Sequence, residues 1–210
     1  MKKINVLLLG LVTALGFSSC IDDEEPFDWA AQYEIERPII EAYARENLAN
    51  PQYHEIQGMR IWYEVIALGD DASYQYKVIS NPNAQGGYAI EAPEVHVRYT
   101  TRLVQTDAVV RSVDDDEGEE LAWNNEPAIW QAALFPREIR YDEDGELLDE
   151  PVEFGGITTN GLKRGGRIRV VTPSYFAYRN GSSGNIPANS PLFYDIEIVE
   201  IDEPSSNNNP

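Results

Sequence analysis

The sequence predicts an α+β fold, in which a helical N-terminal segment precedes a β-rich antiparallel domain with one short helix. Three observations support it. Apolar residues recur near helical spacing between Trp29 and Leu48. Strand-like alternation begins at Met59. Ala128 to Leu134 has the pattern of a short helix entered through Pro127. The chain has 210 residues, 42% of them hydrophobic, which is enough apolar material for a core.

The predicted N-terminal helix carries its apolar residues at Ile35, Ile39, Ala42 and Tyr43. Pro38 lies inside it, removes a backbone donor and is predicted to split it into two short pieces. The pair Asn50-Pro51 and the following residues are interpreted as a turn. Residues 29–57 are therefore predicted to form a helical segment.

Strands are predicted from alternating apolar and polar positions and from the turn residues that separate them. The predicted strands cover residues 59–66, 74–79, 94–103, 109–113, 137–141, 146–149, 167–172 and 192–201. An Asp-Gly turn at Asp144-Gly145 predicts a hairpin between the fifth and sixth of these strands.

The first residues predict export and lipid attachment. A basic start is followed by an apolar run, residues 4–17, that is too short to cross a bilayer, which is typical of a signal peptide over residues 1–19. Ser18 and Ser19 before Cys20 resemble a lipobox, which implies lipidation of Cys20. The alternative is a chance cysteine after an ordinary signal. If Cys20 is lipidated, residues 20–28 form a lipidated acidic tether.

The predicted location is an outer membrane lipoprotein that faces either the periplasm or the cell surface. The acidic stretch 21–25 resembles a surface-export signal, but it also fits a plain solvated tether. The chain has 16 basic and 36 acidic residues, a formal charge of −20, so binding to nucleic acid is excluded and contact with a membrane depends on the lipid.

No cofactor or metal is predicted. The single cysteine excludes a disulfide within the chain and any cysteine-based metal site. His54 and His96 are the only histidines and are interpreted as surface residues. Phosphate loops and nucleophile elbows are absent from the sequence.

Six segments carry a resemblance to a known family, and they occur in that family's order. They are Gly58–Ile66, similar to GLQYEVI; Val95–Thr100, similar to VTVHYTG; Gly161–Arg167, similar to LMKVGGK; Thr172–Tyr178, similar to IPSxLAYG; Ile186–Leu192, similar to IPPNSPL; and Phe193–Ile198, similar to IFDVEL. The chain thereby resembles the FKBP-type peptidyl-prolyl isomerases over residues 58–201, with an insertion at about 135–157. A tail, 202–210, is expected to be disordered.

This resemblance implies an FKBP-like antiparallel sheet curled around a short helix, with an apolar pocket between them for a prolyl ring. It implies catalytic roles for Tyr99, as a pocket wall, and Tyr178, whose hydroxyl would hold a substrate carbonyl. Ile186 would contact the substrate through its backbone amide, and Tyr194 would lie at the pocket edge. The implied partners are proline-containing polypeptides.

The floor of the pocket is assigned to Trp130, because residues 130–134 resemble the family's GWQEAL. An alternative register places the short helix at 156–162, where Phe154 is the nearest aromatic residue. Val109 and Val110 fall where the family has a Phe and an Asp, so the implied site has less aromatic wall and no carboxylate. The insertion is expected near the pocket mouth.

Three functions fit these observations. The first is a prolyl isomerase that assists the folding of envelope or surface proteins. The second is a catalytically weak binding module on the same fold, which the replacement of the Phe-Asp pair favours. The third is an interaction lipoprotein in which helix 29–48 docks a partner.

Overall fold

The computed structural model describes residues 27–84 and 86–204. The predicted signal peptide, Cys20, most of the acidic tether and the end of the tail lie outside these ranges. Within them, neither helix combines the length and the apolar character that a bilayer crossing needs.

Helix α1 spans Trp29–Asn47 and begins at Asp28, whose side chain accepts a hydrogen bond from the Ala31 N–H at 2.9 Å. Pro38 lies inside α1, and the helix continues through it, so the predicted split is wrong. A proline in a helix interior costs about 3 kcal/mol. Packing of the later residues Ile40 and Ala44, both buried, opposes that cost.

The predicted apolar face of α1 is not its buried face. Ile35 and Ile39 are 64% and 40% exposed, whereas Tyr33, Glu36 and Ile40 are buried with Ala44. The buried stripe contains a carboxylate, which hides it from a search for apolar periodicity.

Eleven strands and a second helix, α2 (Ala128–Leu134), follow in the described residues. The strands are β1 Gln52–Ile56, β2 Met59–Ala67, β3 Val78–Ser80, β4 Tyr88–Ile90, β5 Glu94–Leu103, β6 Val109–Val113, β7 Glu119–Glu120, β8 Glu138–Tyr141, β9 Leu147–Glu153, β10 Arg167–Thr172 and β11 Leu192–Asp202. The main sheet has the order β1-β2-β10-β11-β5-β6, with β7 also paired to β5, and its strand pairs are antiparallel. The predicted α+β arrangement, an antiparallel sheet with a short helix and an N-terminal helix, is confirmed.

The main sheet is covered by a different helix on each face. On the inner face, α2 packs into the large core, which includes Trp130 and Tyr194. On the outer face, α1 packs through Ile40, Ala44 and Leu48 against Trp62 and against Val171 and Phe193. Alternation along β10 and β11 sends neighbouring residues to opposite faces, as for Phe193 and Tyr194.

Two parts of the sheet differ from the prediction. Gln52–Ile56 is a strand rather than a turn, because Gln57 and Gly58 both have positive φ (51° and 77°) and close a two-residue hairpin into β2. The predicted strand 74–79 forms only over Val78–Ser80. The hydroxyl of Tyr76 instead lies within hydrogen-bond distance of two carbonyl oxygens, those of Leu134 at 3.1 Å and of Leu162 at 2.8 Å.

The inserted segment forms the hairpin β8–β9, with Gly145 at φ 78° in its turn. The hairpin packs beside β3, and Val78 forms a bridge with Asp142. A cavity of about 660 Å³ lies between the hairpin and residues 71–76. The insertion thus adds its own surface next to β3.

Candidate functional site

Three aromatic rings meet where α2 rests on the inner face of the sheet. The rings of Tyr99 and Trp130 are 5.1 Å apart and perpendicular, and those of Trp130 and Tyr194 are 5.8 Å apart in a similar arrangement. Such edge-to-face pairs are favourable beyond the area they bury. Trp130 and Tyr194 are fully buried, and Tyr99 is 7% exposed.

Strand register explains why these rings meet. Tyr194 of β11 lies between Val170 of β10 and Thr101 of β5, and Tyr99 lies two residues before Thr101 on the same face. Trp130 lies on the buried side of α2. Ile186 is 1% exposed and belongs to the same core, and Tyr178 packs against it from a half-buried position.

Arg111 of β6 connects the tyrosines at the edge of this cluster. Its guanidinium donates to the hydroxyl of Tyr178 at 2.6 Å and to that of Tyr99 at 3.0 Å. It also donates to both carboxylate oxygens of Glu126, at 3.0 and 2.8 Å, and lies 5.3 Å from the centre of the Tyr99 ring. Such a bidentate pair fixes the guanidinium in one orientation.

The charges at the site are set by burial and by this ion pair. Burial raises the pKa of Tyr178 and of Tyr99; Glu126 adds to the increase and Arg111 opposes it. Burial raises the pKa of Tyr194 still further. The hydrogen bond to Glu126 raises the pKa of Arg111. At neutral pH the site therefore presents three neutral phenols beside the Arg111–Glu126 ion pair.

The predicted site residues take different positions. Tyr99, Trp130, Tyr194 and Ile186 share one core, and Tyr178 joins Tyr99 through Arg111. Val110 is half-buried against this core, at the irregularity where the β5–β6 register shifts.

Val109 is 50% exposed and does not join the ring cluster, because it pairs with Arg102 at the end of β6. In the alternative register the short helix would occupy 156–162, but those residues are not helical and the helix is α2, which carries Trp130. The expected position of the insertion near the pocket mouth stays a prediction. Among the described residues, no hydrogen bond joins Arg111 or either tyrosine that it contacts to the inserted hairpin.

Three buried polar atoms around the rings have no hydrogen-bond partner among the described residues. They are the indole nitrogen of Trp130, the hydroxyl of Tyr194 and the hydroxyl of Thr101. Thr101 is directly opposite Tyr194 in the sheet. Most buried polar atoms in proteins are paired with protein groups or with ordered water.

Sequence reasoning missed Arg111 and Glu126. Their signal is weak, because Arg111 is one charged residue on an alternating strand and Glu126 is one of 36 acids. Finding a charged side chain that reaches both predicted tyrosines requires knowing how β5 and β6 pair residue by residue. The sequence alone does not give that register.

A separate group of side chains could hold a metal ion. One ligand atom each from Glu94, His96 and Glu120 lies within 4.8 Å of the others. His96 thus lies beside two carboxylates. The interpretation of His96 as a plain surface residue did not include these neighbours. The group is on the polar side of β5, away from the ring cluster, and exposed acidic side chains often gather without an ion.

The fold and the site define an α+β domain in which an antiparallel sheet and a short helix enclose an aromatic site, whose hydroxyl groups are held by an ion pair. No family model matches the chain. The chain is 42% identical over 40 residues to the FKBP-type peptidyl-prolyl cis-trans isomerase FkpA of Buchnera aphidicola; the match covers 19% of this chain and 17% of that relative's length. With the ordered motifs of the sequence, this match confirms the resemblance to FKBP-type peptidyl-prolyl isomerases.

Solved structures of low sequence identity were also found. A peptidyl-prolyl cis-trans isomerase from Pseudomonas syringae has 18% identity and a TM-score of 0.47, covering 84% of this chain and 98% of its own. FkpA from Escherichia coli has 16% identity and a TM-score of 0.46, covering 83% and 64% respectively. AtFKBP13 has 18% identity and a TM-score of 0.42, covering 70% and 97%.

Proposed function

We propose that this chain is a peptidyl-prolyl cis-trans isomerase that acts on proline-containing polypeptides at the ring cluster. One observation carries the proposal. Arg111 holds the hydroxyls of Tyr99 and Tyr178 together beside the buried rings of Trp130 and Tyr194. The site thereby offers an apolar floor next to oriented hydroxyl groups.

The reaction needs little more than such a surface. Rotation about an X–Pro bond is opposed by a barrier of about 20 kcal/mol, which arises from amide resonance. Resonance places negative charge on the carbonyl oxygen, so an apolar environment disfavours the planar form relative to the twisted one. A nucleophile or a metal is not required for this rotation.

Tyr178 is the proposed contact for the substrate carbonyl. Its oxygen accepts a hydrogen bond from Arg111, which leaves its own O–H proton for donation to a carbonyl. Because its pKa is raised, Tyr178 keeps that proton at neutral pH. Tyr99, held by the same guanidinium, would form the adjoining wall.

A protease-coupled assay with proline tetrapeptides tests this function. Tyr178→Phe removes one hydrogen bond to the substrate and is expected to lower kcat/KM by about five- to tenfold. Tyr175→Phe is the matched control, since its hydroxyl donates to Gln57 at 2.9 Å and is not among the hydrogen-bond partners of Arg111 in the described residues. Unchanged kcat/KM in Tyr178→Phe would remove this residue from the mechanism, and a wild-type rate equal to background would reject the isomerase function.

The second candidate is a binding module without useful turnover. Trp130 and Tyr194 are fully buried, and the guanidinium of Arg111 covers the ring of Tyr99. A proline ring can reach the floor only if these side chains move, which favours slow or weak catalysis. Binding of a proline tetrapeptide by calorimetry without acceleration of its isomerisation would select this candidate.

The location and the biological role are also part of the proposal. We propose that lipidation of Cys20 attaches the domain to the outer membrane, facing the periplasm or the cell surface, where it assists the folding of envelope or surface proteins. The support is the basic start, the apolar run and the small residues before Cys20.

A further inference from the structure

Helix α1 places one carboxylate in the protein interior, where it contacts a residue that is far away in sequence. Glu36 is 2% exposed. It accepts hydrogen bonds from the backbone N–H of Ser174 at 2.8 Å and from the hydroxyl of Ser174 at 2.5 Å. Gln32 of the same helix donates to it at 2.7 Å.

The burial of the Glu36 carboxylate is compensated by hydrogen bonds. A buried carboxylate costs several kcal/mol unless it is paired or well hydrogen-bonded. In the described part of the chain, Glu36 forms no salt bridge, so its three donors provide the compensation. Two of the three belong to Ser174, so this one residue provides most of the compensation for the buried carboxylate.

Ser174 connects Glu36 to the candidate site. It begins a 3₁₀ turn, Ser174–Phe176. Its carbonyl accepts from the N–H of Ala177 at 3.0 Å and from the N–H of Arg179 at 2.8 Å. These two residues flank Tyr178, so the carbonyl of Ser174 fixes the backbone on both sides of Tyr178.

The backbone at this point would not hold its shape unaided. Arg179 has φ 57°, a left-handed conformation that non-glycine residues seldom adopt. Surrounding contacts must maintain it. Alongside Glu36, the ring of Trp29 in α1 packs edge-on against that of Tyr175 at 5.2 Å.

We infer that Glu36 is a positioning residue for the prolyl site: through Ser174, α1 sets the backbone that places the Tyr178 hydroxyl against Arg111. The N-terminal helix is then a working part of the site, in addition to a cover for the sheet. This inference rests on the proposed function, because positioning matters for turnover only if Tyr178 contacts the substrate.

The experiment compares Glu36→Ala with Glu36→Gln in the full chain, well below the midpoint of thermal unfolding. In Glu36→Ala, kcat/KM for the proline tetrapeptide is expected to fall about tenfold, and amide hydrogen exchange at residues 175–181 to accelerate. In Glu36→Gln both are expected to stay near wild type, since the amide oxygen can accept from the Ser174 N–H, the amide nitrogen can donate to its hydroxyl, and Gln32 can turn its own amide so that its oxygen accepts from that nitrogen.

Two further variants make the result decisive. Glu34→Ala changes an exposed carboxylate of the same helix, paired only with Arg37 at 2.8 Å, and should match wild type. If Glu36→Ala does not fold, Ser174→Ala removes a single donor and should give a smaller decrease in the same direction.

The outcomes separate this inference from the proposed function. Wild-type kcat/KM and wild-type exchange at 175–181 in Glu36→Ala would overturn the positioning role. A lower unfolding midpoint with unchanged kcat/KM would also overturn it, since Glu36 would then be only structural. If the wild type has no turnover, the isomerase function fails, and exchange at 175–181 alone decides whether Glu36 holds the segment.

Discussion

The two faces of the main sheet differ in whether their buried polar groups have hydrogen-bond partners. Under α1, the carboxylates are satisfied: Glu36 is bonded to Ser174, and Glu64, 7% exposed, accepts from the N–H groups of Ala49 and Asn50 at 3.3 and 2.9 Å. Under α2, the polar atoms of Trp130, Tyr194 and Thr101 lack partners among the described residues.

This difference suggests that the outer face is a structural support and that the inner face is the site. Satisfied polar groups stabilise one arrangement of helix and sheet, which suits the outer face as a support. Unsatisfied polar groups reduce stability, and they can pair with a ligand once the side chains that bury them move, which suits the inner face as a site. The following predictions test that division, from the largest expected effect to the smallest.

The largest effect is expected from Ile40→Ala on the outer face. Ile40 is 1% exposed, and truncation of such a side chain typically costs about 2–5 kcal/mol of unfolding free energy. Urea unfolding measures this loss, with Ile35→Ala, at a 64% exposed position of the same helix, as a control that changes little. Because α1 acts on the site through Glu36 and Ser174 and not through Ile40, kcat/KM of the folded variant is expected to be unchanged; a parallel decrease in both quantities would contradict this expectation.

A smaller effect is expected from the ion pair at the inner site. Arg111→Leu leaves Glu126, whose side chain is only 12% exposed, without its cation, at an expected cost of about 1–3 kcal/mol. The double variant Arg111→Leu/Glu126→Leu should lose less than the sum of the single variants, with a coupling of about 0.5–3 kcal/mol.

The exposed pair Arg37–Glu34 is the control for that cycle, with an expected coupling of less than about 1 kcal/mol. Additive losses at Arg111 and Glu126 in urea unfolding would show that the pair does not act as a unit. The tyrosine hydroxyls would then need another source of orientation.

The smallest effect is expected from Thr101→Val, which replaces an unpartnered hydroxyl with a methyl group. Because no hydrogen bond is lost, the unfolding free energy should change by less than about 1 kcal/mol and can increase. A loss above about 2 kcal/mol would indicate that this hydroxyl has a strong partner, and the inner face would no longer differ from the outer one.

Local patterns in the sequence predicted much of this fold. Helix α2 and strand β6 have the predicted bounds, and β5 shows the predicted alternation of buried and exposed residues. These elements depend on neighbours within a few residues. Pro38 and Gln52 to Ile56 were misassigned because long-range packing and a hairpin turn with two positive φ values decided their structure.

The candidate site was predicted less completely, for the same physical reason. Its aromatic residues lie in recognisable motifs, and their assigned roles stay predictions. Arg111 contacts partners 12, 15 and 67 residues away, and Glu36 contacts a partner 138 residues away. Such contacts depend on strand register and helix docking, which no local pattern records.

The enclosure of the Arg111–Glu126 pair has a consequence for the conditions under which the site keeps its shape. At physiological ionic strength, mobile ions screen charges beyond about 8 Å, and they act most strongly on exposed pairs. The chain carries a formal charge of −20, so added salt relieves its overall self-repulsion. The half-buried pair is screened less by these ions, so the two tyrosines that it holds are expected to keep their arrangement at low and at high ionic strength.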